Sequence, residues 1–423
     1  MYYLSTRNKT LRKTLSEAIQ SGLASDGGLF VPEYLPKINL QEFTPGLSYV
    51  EFSQKLLQYF FAEDSLDKKL LSFCQSAFNF PVPLKPVNNN TFILELFHGP
   101  TSSFKDFGAR FLAECLNTLS EKQKTTIMVA TSGDTGSAVA SAFYEKPHIN
   151  IIILYPDKQI SARQEHQITC WDKNILALAV KGNFDDCQKL VKAAFSDPWW
   201  QKHVHLSSAN SINIGRLLPQ IIYYAYTSIN FYEKYKISPG FIVPTGNLGN
   251  ATAAYWAKAM GFPIREIVLS TNANKAIPDY INTGEFHPRK SIPTLANAMD
   301  VGNPSNFERL KYLFNHYEDF KNNVRAFSAS DEDIKNTIKN IYQKYKIIIC
   351  PHTATAFFAR EQLPSDQPWI IAATADPSKF DSVIEPIITI KIPVSPQLEK
   401  LLNQPSRIVR VENSLEAIQK IMT

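Results

Sequence analysis

Thr126-Ile127-Met128-Val129-Ala130, followed by Thr131-Ser132-Gly133-Asp134-Thr135-Gly136-Ser137 and a helix-like Ala138 to Tyr144, reads as strand, polar turn, helix. Such a turn gathers hydroxyls and free backbone N–H groups at a helix N-terminus, where a carboxylate or phosphate binds. A well-capped strand-to-helix turn is the blander reading, because Ser, Thr and Asp are preferred caps in any case.

The arrangement recurs at Phe241-Ile242-Val243-Pro244, Thr245-Gly246-Asn247-Leu248-Gly249-Asn250 and a helical Ala251 to Met260. Here two glycines three apart let the backbone approach an anion closely. No Gly-Lys-Ser/Thr follows, and Gly246 to Gly249 lacks the Gly-x-Gly-x-x-Gly spacing, so neither a P-loop nor a dinucleotide fingerprint is present. A cradle for a single phosphate is the better fit. The third element is His98-Gly99-Pro100-Thr101-Ser102-Ser103-Phe104-Lys105-Asp106-Phe107-Gly108. It places Lys105 at the start of a helix whose apolar positions Phe107, Phe111, Leu112, Cys115, Leu116 and Leu119 recur at helical spacing. Asp106 suits the positive end of that helix. Aromatic crowding and backbone dipoles disfavour charge on Lys105, which favours a nucleophilic amine. On its own, the motif is equally an ordinary loop-helix junction with a solvated lysine.

A reactive lysine, a monophosphate cradle and a separate oxyanion turn together describe a pyridoxal-phosphate enzyme. The chain resembles the threonine synthase family, of the fold shared with tryptophan synthase β and the serine and threonine dehydratases. Besides the three stretches above, the resemblance rests on Gly22 to Glu33, Phe184-Asp185-Asp186-Cys187, Ser208 to Asn213, Ala298-Met299-Asp300-Val301 and Thr374 to Phe380, and so runs from end to end.

That resemblance implies a fold-type II α/β enzyme, with open twisted sheets covered by helices on both faces and an extra N-terminal domain. It implies that Lys105 carries pyridoxal 5'-phosphate as a Schiff base, that Gly246, Asn247, Leu248, Gly249 and Asn250 hold the cofactor phosphate, and that Thr374 lies near the pyridine nitrogen. A hydroxyl there, unlike an aspartate, need not keep that nitrogen protonated. Ser132, Gly133, Asp134 and Thr135 would line the substrate end. The implied reaction, the last step of threonine biosynthesis, converts O-phospho-L-homoserine and water into L-threonine and phosphate, with Lys105 moving protons along the substrate chain. The substrate phosphate needs its own anion site, for which Asn210, Ser211, Asn213 and Arg216 are the candidates; a capped helix start before Leu217 to Tyr226 explains the same residues equally well. Two positions depart from the family pattern: Asp376 stands where a histidine is usual, and Lys275 where an acidic residue is common. Their opposite charges suggest that the two pair.

Composition agrees with this reading. The 423 residues, 44% hydrophobic and 20% charged, suffice for two or more full cores. The net charge of +5 comes from scattered basic residues, so no nucleic-acid partner is expected. Cys74, Cys115, Cys170, Cys187 and Cys350 are widely spaced without Cys-x-x-Cys, and the eight histidines form no ligand cluster, so reduced core thiols and no metal are expected. Only His98 sits in a motif, where a turn-stabilising hydrogen bond is the plain reading. Residues Met1 to Lys9 lack a signal peptide's apolar core, and no run reaches membrane-span length. The expectation is a cytoplasmic monomer or homodimer acting on a small molecule.

The runs expected as strands are Phe92 to Phe97, Ile127 to Ala130, Ile151 to Tyr155, Ile175 to Val180, Phe241 to Val243, Ile267 to Ser270, Ile347 to Cys350 and Ile370 to Ala373. Helices are expected over Asp185 to Phe195, Leu217 to Tyr235 and Asp331 to Tyr345, the last opened by a near capping box of Ser330 and Asp333. Pro81, Pro83, Pro86 and Asn88-Asn89-Asn90 suggest a boundary. Three domains are expected: residues 1–90, a smaller α/β domain over 91–237 with Lys105 and the substrate turn, and a larger one over 238–423 with the phosphate loop.

Three rivals remain on sequence alone. A phospholyase would release phosphate and ammonia from the same class of substrate. An amino-acid dehydratase of the same fold is opposed by Asp26-Gly27-Gly28, by Ala298-Met299-Asp300 and by Asp134 in place of asparagine. A non-catalytic binding protein is opposed by the intact Lys105, Gly246 and Gly249.

Overall fold

The computed structural model describes residues 1–44 and 46–422. Two sheets organise the chain, each wrapped by helices. The larger has six strands in the order Arg325–Ser328, Glu266–Thr271, Gly240–Pro244, Trp369–Ala373, Thr91–Glu95 and Leu84–Asn88. All its neighbours run parallel except the last two strands, which pair antiparallel. The smaller sheet is all parallel, in the order Val409–Val411, Ile175–Val180, Ile149–Pro156, Thr125–Ala130 and Leu206–Ser207. Central strands such as Thr125–Ala130 and Gly240–Pro244 are buried at every residue, because helices cover both faces of a parallel sheet.

The N-terminal region adds a small antiparallel sheet, Arg12–Lys13 beside Tyr3–Ser5 beside Phe30–Pro32, with helices Leu15–Ser21, Tyr49–Phe61 and Leu70–Ala77. Leu56, Leu57, Phe60 and Phe61 lie on the buried face of Tyr49–Phe61. They belong to one apolar cluster with Phe107, Phe111, Leu217 and Ile221, which line helices Lys105–Leu119 and Ile214–Tyr235. The N-terminal region is thus packed into the same core as the helix that carries Lys105. Buried Arg309 fastens the join: it donates to the carbonyls of Phe30, Ser211 and Ile212.

The sheets cut across the divisions expected at residues 90 and 237. Leu84–Asn88 and Thr91–Glu95 belong to the larger sheet, although residues 91–237 otherwise build the smaller one, and Val409–Val411 returns to the smaller sheet. The proline and asparagine punctuation coincides with the hairpin that joins Leu84–Asn88 to Thr91–Glu95. Ile347–Cys350 is not a strand. It is an extended link between helices Asp331–Tyr345 and Pro351–Glu361. Ile349 and Cys350 are buried in the same apolar cluster as Trp369, Ile371 and Ala373. The remaining expected strands form, the first as Thr91–Glu95, short of Phe97. The three expected helices form as Phe184–Ser196, Ile214–Tyr235 and Asp331–Tyr345, the last with a full Ser330/Asp333 capping box.

Among the described residues no helix is long and apolar enough to cross a membrane, and no group of three or more His, Cys, Asp or Glu residues could hold a metal ion.

Candidate active site

The cleft between the two sheets lies at the C-terminal ends of Thr125–Ala130, Gly240–Pro244 and Trp369–Ala373. It is lined by Lys105, Ser132, Asp134, Thr135, Asn210, Ser211 and Arg216 on one side, and by Gly246, Asn247, Leu248, Gly249, Asn250, His352 and Thr374 on the other. Ligands of open α/β sheets collect at such strand ends.

Lys105 is the first residue of helix Lys105–Leu119, and the turn before it is held tightly. Asp106 accepts from the Thr101 backbone N–H at 2.9 Å and from the Thr101 hydroxyl at 2.6 Å. Gly99 is needed here, since a Cβ would lie 2.5 Å from the Asp106 carboxylate. The Phe104 N–H donates to the Thr374 carbonyl at 2.9 Å, which ties the lysine turn to the larger sheet. Burial drives the Lys105 amine down to about 8; Lys379 and Arg216 add to that effect, and Asp134 opposes it at 3.7 Å. The free amine is therefore accessible near neutral pH.

Asp134 opens helix Asp134–Phe143. Burial alone would push its carboxyl up, but Lys379, Lys105 and His352 outweigh that and hold it below the usual range. Lys379 donates to Asp134 Oδ1 at 2.7 Å, and Gln164 Nε2 donates to the same oxygen at 3.1 Å. The backbone N–H groups of Ser132, Asp134 and Thr135 find no acceptor among the described residues, whereas those of Gly133 and Gly136 are taken by the Thr131 hydroxyl. Gly133 shapes the turn at φ 131° but does not line the cleft.

Across the cleft, the second turn is built from backbone. Leu248 adopts a left-handed conformation at φ 61°, just before helix Gly249–Met260. A Cβ on Gly246 would lie 2.7 Å from the Met299 Cα, so this turn packs directly against the Ala298–Met299 segment. The N–H groups from Gly246 to Ala251 find no acceptor among the described residues. The side chains brace the turn. Asn247 donates to the Ser211 hydroxyl at 2.7 Å, and Asn250 Oδ1 accepts from the Tyr223 and Tyr224 hydroxyls, both at 2.7 Å. A rim of unpaired N–H groups at a helix N-terminus, in the same cleft as a largely buried lysine, fits a phosphorylated aldehyde cofactor.

Arg216 lies in helix Ile214–Tyr235, with its backbone pressed against Lys105–Leu119. A Cβ on Gly108 would lie 2.6 Å from the Arg216 carbonyl. Its NH1 donates to the Ala209 carbonyl at 2.5 Å, and its buried Nε has no partner among the described residues. Asn213, expected beside it as a ligand, lies outside the cleft. Its Nδ2 donates to the Ile19 and Ser208 carbonyls, and its Oδ1 caps the helix at the Gly215 N–H. All its polar atoms are committed to the fold.

Lys275 and Asp376 do not pair. Lys275 lies 4.0 Å from Asp279, while Asp376 caps the short helix Pro377–Phe380 by accepting from the Ser378 N–H and hydroxyl. His98 hydrogen-bonds Glu95 at 2.7 Å, beside the end of strand Thr91–Glu95.

Sequence reasoning missed three side chains at the site: Lys379, Gln164 and His352. Lys379 sits within the quoted Thr374 to Phe380 motif, which was the available signal. His352 had none. It is the second residue of helix Pro351–Glu361, its Nε2 accepts from the Ala298 N–H at 3.1 Å, and its buried Nδ1 has no partner among the described residues. Burial pushes its imidazole down to about 4, so the ring is neutral at pH 7 with its proton on Nδ1.

Comparison with known proteins agrees with this geometry. A family model for pyridoxal-phosphate dependent enzymes matches residues 80–374, with a threonine synthase N-terminus model over 2–78 and a threonine synthase C-terminal model over 352–422. The chain is 41% identical over 389 residues to threonine synthase of Haemophilus influenzae, covering 92% of this chain and 91% of that protein. It is 35% identical to that of Escherichia coli, covering 100% of this chain and 99% of that protein. The crystal structure of the Escherichia coli enzyme superimposes with a TM-score of 0.93 at 34% identity, over 100% of this chain and 99% of that chain. A PLP-bound threonine synthase from Brucella melitensis superimposes with a TM-score of 0.91 at 30% identity, over 100% of this chain and 98% of that chain.

Proposed function

The chain belongs to the threonine synthase family of pyridoxal-phosphate-dependent enzymes, and on that premise we propose that its cleft converts O-phospho-L-homoserine and water into L-threonine and phosphate. The observation that carries this reading is the placement of Lys105, a buried amine held near 8, opposite the N–H-rich turn at Gly246 to Ala251. Pyridoxal phosphate, when bound, supplies the electron sink that makes the substrate Cα–H acidic.

The residues around the cleft divide the remaining work. The turn at Gly246, Asn247, Leu248, Gly249 and Asn250 would hold the cofactor phosphate through backbone N–H groups, and the Thr374 hydroxyl would serve the ring nitrogen. The free N–H groups of Ser132, Asp134 and Thr135 suit the substrate carboxylate, since they are unpaired donors at a helix N-terminus. Arg216 suits the leaving phosphate: its Nε is buried and unpaired, its NH1 is anchored, and Asn210 and Ser211 line the same wall. Lys105 Nζ would take the proton from Cα and return protons farther along the chain, as an amine of near-neutral affinity can do in both directions.

The test is to incubate the cofactor-loaded protein with O-phospho-L-homoserine and measure phosphate, threonine and keto acid together. Equal threonine and phosphate, both lost in Lys105→Ala, supports the proposal. Phosphate released with keto acid would replace it with a phospholyase.

A further inference from the structure

One buried charge beside the cleft has no part in the division of work above. Lys379 is fully buried, and its Nζ donates to Asp134 Oδ1 at 2.7 Å and to the Thr101 carbonyl at 3.0 Å. Asp134 turns its other oxygen, Oδ2, toward Lys105 Nζ at 3.7 Å. A single carboxylate thus lies between two lysines that reach it from different directions. Asp134 follows strand Thr125–Ala130 of the smaller sheet, and Lys379 follows strand Trp369–Ala373 of the larger one.

The loops on both sides are pinned to keep this contact. Arg163 hydrogen-bonds the Ser378 carbonyl and pairs with Asp381 at 3.1 Å. Gln164, the next residue, holds Asp134 Oδ1 through Nε2 and accepts from Asn297 through Oε1 at 3.1 Å. The Asp134 carboxylate therefore has little freedom, and its Oδ1 is already committed.

We propose that Lys379 is a positioning residue: by holding Asp134 through Oδ1, it makes Oδ2 a partly compensated neighbour of Lys105 Nζ and so sets how readily that nitrogen gains and loses its proton. Without Lys379, the buried carboxylate would have Lys105 as its closest cation, and the two would lock together as an ion pair. With Lys379 present, the carboxylate charge is matched and Lys105 is free to act as a base. The other groups facing this trio are Arg216 from helix Ile214–Tyr235, His352 and Cys350 around the start of helix Pro351–Glu361, and Asp106, which is linked to Lys379 through Thr101. His352 is neutral near pH 7, the Cys350 thiol is pushed up by burial, and Asp106 is satisfied by Thr101, so beside burial itself the charges acting on Lys105 are Asp134, Lys379 and Arg216.

This inference rests on the reading that Lys105 carries the cofactor, and its test separates the two. The loaded enzyme is titrated between about pH 5 and 10 while the visible band of the lysine-bound cofactor is followed. Lys379→Met removes a cation and leaves Asp134 to Lys105, so the midpoint rises by about one pH unit or more. Asp134→Asn leaves two unopposed cations, so the midpoint falls. Lys379→Arg keeps the charge and stays near the wild type. Because the first two substitutions pull in opposite directions, one of them brings the midpoint into range even where the wild-type midpoint lies outside it. If Lys379→Met does not fold, Lys379→Gln takes its place, and Asp134→Asn carries the test in either case. Shifts of the same sign, or an unmoved midpoint in the Lys379 neutral variant or in Asp134→Asn, would overturn the role of Lys379. A wild-type protein that never develops the band would overturn the reading of Lys105, and this inference with it.

Discussion

The two glycine turns share a plan, strand then turn then helix, and differ in charge. The turn at Thr131 to Gly136 carries a buried aspartate held between two lysines, whereas the turn at Gly246 to Asn250 contains no titratable side chain and lines the cleft with backbone N–H groups. A helix N-terminus attracts anions in both places. In the first turn a fixed carboxylate, matched by Lys379, already stands at the helix N-terminus, while the neutral asparagines of the second leave its dipole unopposed. The backbone plan is common to both turns, and the side chains make the two differ in charge.

The comparison can be broken most severely at the lysine that shares the cleft with both turns. Lys105→Ala is expected to lower threonine formation by on the order of 1000-fold or more, read from initial rates with O-phospho-L-homoserine. The next largest effect separates the turns. Gly246→Ala places a Cβ 2.7 Å from the Met299 Cα and should weaken retention of pyridoxal phosphate roughly 10- to 100-fold, measured by dialysis of the loaded protein. Gly133→Ala also strains the backbone, at φ 131°, but should lower the melting temperature and leave cofactor retention nearly unchanged. If both substitutions strip the cofactor equally, the division between the turns fails.

A smaller effect comes from pH. The group titrating at about 8 is the Lys105 amine, and its free form increases as pH rises through that value. Capture of pyridoxal phosphate by the stripped protein should therefore accelerate roughly tenfold between pH 7 and 9 and then level, as stopped-flow absorbance would show. The smallest effect distinguishes Asn213 from Arg216. Asn213→Ala should cost about 2 kcal/mol of stability in urea unfolding without raising the KM, since its amide caps a helix and ties Ile19 to Ser208. Arg216→Lys should instead raise the KM for the phosphorylated substrate.

Both turns and Lys105 were legible in the sequence because their signals are local: a β-rich run, a glycine turn and a helical period all lie within about 20 residues. What failed was decided at a distance. Ile347 to Cys350 has the composition of a strand, but Ile349 and Cys350 are buried in a core formed with chain elsewhere in the sequence. Leu206–Ser207 and Val409–Val411 were missed because edge strands of two and three residues have no period to read. Asn213 was taken for a ligand because capping a helix and binding an anion call on the same polar residues. Lys379 lies in a motif that marks the region, but its burial is decided by the tertiary meeting with Asp134. The pairing of Lys275 with Asp376 was inferred from charge alone, and charge carries no address.

The order of strands in the larger sheet also sets a schedule for synthesis. Thr91–Glu95 emerges early, yet its parallel neighbour Trp369–Ala373 is made near the end, and Ile175–Val180 waits still longer for Val409–Val411. Until then, two apolar strands present open edges to any passing chain, which invites aggregation. A ribosome that stalls before Trp369 would leave a polypeptide that holds Lys105 and both glycine turns but cannot close either sheet.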